Sequence, residues 1–150
     1  MSDFFQFEAD FVESLRCIPM QVRYKLDTCG VKLKLQHWHQ LTQGERQSLV
    51  DLPCETEAEV ASYREHLQRM VVAHTGQAAG DLPVEAFPAW MDEMTIPVSV
   101  REKATETGVE LTLEQWRSLS PIQRFVLIKL SRSGHENSNF LPALKEFQLV

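Results

Sequence analysis

The sequence predicts an all-α fold: a single compact helical domain over residues 1–150, made of two duplicated helix–short helix–helix units plus flanking helices. Three observations predict it. The chain repeats itself at a fixed offset of 78 residues, the signature of a duplicated structural unit. Prolines, glycines and Ser/Thr caps punctuate both copies at matching places. Strand-favouring residues in alternation are confined to Val31, Leu33 and Leu35, whereas helix formers dominate elsewhere.

Ile18–Leu52 aligns without a gap on Ile96–Leu130, so the units span about 18–52 and 96–130. Fourteen of the 35 aligned positions are identical, among them Ile18/Ile96, Pro19/Pro97, Arg23/Arg101, Gly30/Gly108, Trp38/Trp116, Leu41/Leu119, Arg46/Arg124 and Leu52/Leu130. Chance does not give this at one fixed offset, and each unit is too small to bury its own apolar faces.

Ahead of the first unit, Phe4, Phe7, Phe11 and Leu15 keep helical spacing. Pro19 suits the first position of a helix that runs about ten residues to Gly30, a left-handed stop. Val31 is expected to pair with Leu26 across a Schellman turn there. A short helix follows over Leu35, Trp38 and Leu41, although Lys34 cannot cap it. Thr42 with Glu45 has capping-box spacing for the third helix, and Thr56 with Glu59 for a fourth. The fourth helix carries Val60, Tyr63, Leu67, Met70 and Val71 on one face and ends near Gly76. Thr75–Pro83 reads as a linker leading to Val84, Phe87 and Trp90. The second unit repeats the pattern with Pro97 and Gly108, then Thr112 with Gln115, then Ser120 with Gln123 and Pro121 at the first helical position. LPALKEFQLV at the end reads as a short docking helix with an apolar tail.

Charge excludes several function classes. The net charge is −6, with 8 basic against 11 acidic residues through Gln77 and 7 against 10 after it. Neither half offers the basic face that displaces counterions from nucleic acid or holds an anionic membrane surface. The helix pair around Trp38–Leu52 has helix-turn-helix spacing, but its second helix carries one Arg and ends at Asp51 and Pro53, so no nucleic acid is expected. No run approaches the roughly 20 apolar residues of a membrane span. Three cysteines without close pairing suit reduced thiols in a cytoplasm. Glycine-rich phosphate loops, nucleophile elbows and metalloprotease spacings are absent, which argues against an enzyme; His66, His74 and His135 have no partner at such spacing.

FFQFEADFVESLRCIPMQVRYKLDTCGVKLKLQHW, followed by ERQSLVDLPC, resembles the conserved nitrate reductase-associated protein family of cyanobacterial type. FEADFVESLRCIPMQVRYKLD carries the most specific part of that resemblance, which extends over nearly the whole chain. Family members are commonly encoded beside genes for assimilatory nitrate reductase and molybdopterin synthesis. The resemblance implies a cytoplasmic accessory protein that binds nitrate reductase and helps its maturation or stability, and it supplies no catalytic residues.

Candidate sites each carry two readings. Trp38 and Trp116 are either aromatic anchors for a partner or core tryptophans between helices. The duplicated cations Arg23/Arg101, Lys25/Lys103 and Arg46/Arg124 either grip an acidic partner group or cap neighbouring helix ends. Phe4, Phe5 and Phe7, with Phe147, Leu149 and Val150 at the other end, are candidate apolar contacts unless both termini fold back onto the core. The residues imply no cofactor. The alternative function, a metal or molybdopterin-cofactor carrier, would use Cys17, Cys29, His37 and Cys54 of the first unit. Against it, cysteine spacings of 12 and 25 match no standard zinc pattern.

Overall fold

The computed structural model describes residues 5–8, 15, 17–132 and 139–150, and it is helical. It divides into two compact units, Met1–Val84 and Glu85–Val150, and the division falls just past the expected linker.

In the first unit a 3₁₀ turn, Gln6–Glu8, precedes α1 (Met20–Cys29), α2 (Leu35–Gln40), α3 (Gln43–Asp51) and α4 (Glu57–Thr75). Local chemistry sets each boundary. Pro19 sits one residue earlier than expected, as the extended N-cap whose carbonyl accepts from Arg23 N, because the helix dihedrals begin only at Met20. Thr42 and Thr56 accept from Glu45 N and Glu59 N at 3.1 Å each, and both glutamates return the bond to the cap backbone. α4 ends at Gly76, whose φ is 81°. Its face Tyr63, Leu67, Met70 and Val71 is buried, packing with α1, α2 and α3.

α1 stops at Gly30 (φ 76°) by one bond, Gly30 N to Leu26 O at 2.8 Å. This is the simple left-handed stop, not the expected Schellman pair of bonds. Instead, the chain enters a two-residue strand, β1 (Val31–Lys32), paired antiparallel with β2 (Gly80–Asp81). Part of the expected linker is therefore a ladder, and Leu82 N adds a bond to Gly30 O at 2.8 Å. A Cβ at residue 30 would lie 2.6 Å from Val84 Cγ2 and 3.0 Å from the Leu82 carbonyl oxygen.

The second unit holds a 3₁₀ turn (Ala89–Met91), α5 (Val98–Glu106), α6 (Leu113–Ser118), α7 (Pro121–Arg132) and α8 (Phe140–Glu146). α5, α6 and α7 begin 78 residues after α1, α2 and α3. Here the Schellman turn does form, with Val109 N bonded to Ala104 O at 2.8 Å and Gly108 N to Thr105 O at 3.0 Å. Thr112 and Ser120 cap as the spacing predicts, and Pro121 opens α7. α7 is the hub: Phe125–Ile128 and Leu130 are buried, and it packs against α5, α8 and the 3₁₀ turn.

Candidate functional site

Each unit is organised round a tryptophan and an arginine. Trp38 and Trp116 are fully buried core residues. Trp38 Nε1 donates to Leu15 O at 2.8 Å, and Trp116 Nε1 to Asp92 O at 2.8 Å. Helix ends leave carbonyls without intrahelical partners, and the arginine two turns on supplies them. Arg46 donates to Trp38 O at 3.0 Å and His39 O at 2.9 Å, with its guanidinium 5.9 Å from the Trp38 ring centre. Arg124 is only 2% exposed and donates to Trp90 O at 2.6 Å, Leu119 O at 2.5 Å and Trp116 O at 3.4 Å. Glu93 stands 3.9 Å from its Nη2.

The other candidate cations divide. Arg23 is half-buried and donates to Ile18 O at 3.2 Å. Lys25 donates to Val50 O and Leu52 O, both at 2.6 Å, closing the C-terminal end of α3. Lys103 pairs with Glu106 at 3.3 Å. Arg101 is exposed. The duplicated positions thus hold three different environments.

At the first terminus Phe5 and Phe7 are half-buried and stacked, with ring centres 5.6 Å apart, whereas Phe4 lies outside the described residues. Phe11 and His135 also lie outside them. At the second, Phe147 and Leu149 are buried, so they are not surface contacts; only Val150 is exposed. The tail folds back because Leu149 N bonds Leu144 O and Gln148 N bonds Lys145 O, with Gln148 left-handed at φ 61°.

Cys29 and Cys54 are buried, Cys17 is half-buried, and none forms a disulfide. Burial pushes the Cys54 thiol up to about 12, and burial also raises Cys29, which disfavours the thiolate a metal requires. His37 Nδ1 accepts from Lys34 N at 3.2 Å, doing at the start of α2 what Gln115 Oε1 does at the start of α6. A δ-nitrogen that accepts leaves the proton on Nε2, so neither nitrogen presents a spare lone pair. Among the described residues no three His, Cys, Asp or Glu side chains are placed to hold a metal ion. A groove of about 470 Å³ at the start of α4 is lined by Leu52, Pro53, Ala58, Glu59, Tyr63 and His66. Of its polar groups, Glu59 accepts from Thr56 N, Tyr63 Oη donates to Leu49 O, His66 bonds Ser48, and Arg69 donates to Glu65, with Ser62 exposed beside them.

Sequence reasoning missed two features. Glu8 is fully buried and accepts from Met20 N at 3.2 Å, giving α1 the cap that Pro19 lacks. No local signal marks a cap twelve residues upstream. The second is the strap Glu85–Val98. Trp116 Nε1 holds Asp92 O, Arg124 Nε holds Trp90 O, and Trp90 packs edge-on against Phe125 at 5.1 Å. Pinned in this way, the strap leaves Phe87, Met91, Met94 and Val98 at 67%, 44%, 68% and 68% exposure. Its prolines, Pro88 and Pro97, were the available signals.

Among the described residues no helix is long and apolar enough to cross a membrane. No curated protein matches the chain, and no solved structure matches it. The family model of the conserved nitrate reductase-associated protein matches residues 4–147, nearly the whole length, and the chain belongs to that family.

Proposed function

We propose that this chain is a non-catalytic accessory protein of assimilatory nitrate reductase, acting in the cytoplasm by binding the reductase and supporting its maturation or stability. The observation that carries the reading is the family match over residues 4–147. Two features support a binding role over a chemical one. Arg46 and Arg124 direct their donors inward to backbone carbonyls, and the thiols of Cys29 and Cys54 are buried and held protonated. Meanwhile, large apolar side chains stand exposed on the Glu85–Val98 strap, as protein-contact surfaces require. Of the four duplicated arginines the sequence singles out, Arg101 is the exposed one and the best suited to reach an acidic group on the partner.

The test is direct. The full chain is mixed with purified nitrate reductase and run on a sizing column, and reductase activity is compared in cells with and without the gene. A complex eluting ahead of either protein, together with reduced activity in the deletion, is the expected outcome. Separate elution with undiminished activity overturns the proposal.

A further inference from the structure

We infer that the Glu85–Val98 strap is the docking element of the second unit, seating its apolar side chains in a protein pocket rimmed by Lys and Arg. The inference rests on the reductase-binding reading and adds the surface and the chemistry of the surface it meets.

Three large apolar side chains, Phe87, Met94 and Val98, stand about two-thirds exposed within twelve residues, and Met91 is 44% exposed among them. A loose loop would fold such groups inward to escape water. This strap cannot, because its backbone carbonyls at Trp90 and Asp92 are held by two buried donors, Arg124 Nε at 2.6 Å and Trp116 Nε1 at 2.8 Å. Ile96 adds an anchor at 4% exposure. Asp92 Oδ1 also takes the Met94 N–H at 2.9 Å, fixing the turn from which Met94 projects. Apolar groups presented on a backbone already fixed lose little further freedom on binding, which is the condition for contacts that dominate an interface.

Charge selects the occupant. Every charged residue between Asp81 and Arg101 is acidic: Glu85, Asp92 and Glu93. Those three equal half of the chain's net −6. A second copy would bring the same acidic rim against itself across a two-fold contact, and like charges there are repulsive. A partner with an apolar pocket and basic rim is complementary in both respects.

Calorimetry with purified nitrate reductase tests this, using the full chain and three sets of variants whose folding is checked by circular dichroism. Phe87→Ser combined with Met94→Ser should weaken binding at least about tenfold. Glu85→Lys should weaken it several-fold and flatten its salt dependence. The controls Leu35→Ser and Val72→Ser, at first-unit positions exposed by 49% and 45%, should bind within about twofold of the parent. Parent-like affinity in the double variant, with the parent itself bound, overturns the strap assignment while leaving the association standing. Lack of binding by the parent removes the association and the inference together. Self-association of the parent that the double variant abolishes would assign the strap to a second copy and also overturn the inference.

Discussion

Helices Met20–Cys29 and Val98–Glu106 start 78 residues apart, each behind a proline and each leading to a glycine, yet their first residues meet opposite surroundings. Met20 is 3% exposed and its N–H is held by the buried Glu8 carboxylate; Val98 is 68% exposed and Pro97 provides no side-chain cap. The arginines that close the short helices differ in the same sense of position but the opposite sense of burial. Arg124 is enclosed, while Arg46 is half-buried. The repeated residues set where helices begin and end. Residues outside the aligned stretch, Glu8 on one side and Trp90 with Glu93 on the other, decide what is covered and what faces solvent.

Three experiments break or sharpen that contrast. The largest effect is expected at the arginines. Arg124→Ala removes the guanidinium donor from the carbonyls of Trp90 and Leu119, leaving Trp116 O with only the Leu119 N–H, and should cost about 3–4 kcal/mol. Arg46→Ala, where water can replace the guanidinium, should cost about 1–2 kcal/mol. Urea titrations measure both, and equal losses would erase the distinction. Next come the first helical residues: Met20→Ser should lower stability by about 2–3 kcal/mol. Val98→Ser should stay within about 0.5 kcal/mol in the same assay.

The smallest effect is alkaline and belongs to the first unit. An unfolded thiol titrates near 9.0, whereas the buried Cys54 thiol holds its proton to about 12. A folded-state value raised in this way leaves stability intact below pH 9 and drains it as pH climbs through that window. Tyr63 is raised too, chiefly by burial, and adds to the loss at its upper end. Thermal melts at stepped pH should show the midpoint falling above pH 9, and Cys54→Ala should lessen the fall by about 1 kcal/mol. An unchanged slope in that variant would place the alkaline sensitivity elsewhere.

The helices were legible because their ends are written locally. Thr42 with Glu45, Thr56 with Glu59, Thr112 with Gln115 and Ser120 with Gln123 lie three residues apart, and all four boxes form. The tryptophans were legible in type but open in role until their indole N–H groups were seen bonded inward. Features that join distant residues were not legible. Glu8 reaches Met20, Val31 pairs with Asp81, and Lys25 closes the end of α3, none of which leaves a periodic or spaced signature. The ladder also explains why the Schellman turn forms in the second unit and not the first: after Gly30 the chain passes directly into pairing with Gly80–Asp81. The strap was hidden for a different reason. Phe87, Trp90 and Met94 fit a helical stripe as well as an irregular segment, and only the inward pull on Trp90 separates the buried ring from its exposed neighbours.

Gly30 and Gly108 look interchangeable as letters, but the molecule's tolerance for drift at the two places is unlike. At position 108, where φ is 81° and a methyl would find open space, asparagine could be accommodated at modest cost because it adopts that backbone shape more readily than most residues. At position 30 a side chain would press on Val84 and the Leu82 carbonyl, whose residue also bonds Gly30 O, so a substitution there would disturb the chain just past the Gly80–Asp81 strand as well as strain the helix stop. Variation among relatives should therefore accumulate at the later glycine and be refused at the earlier one.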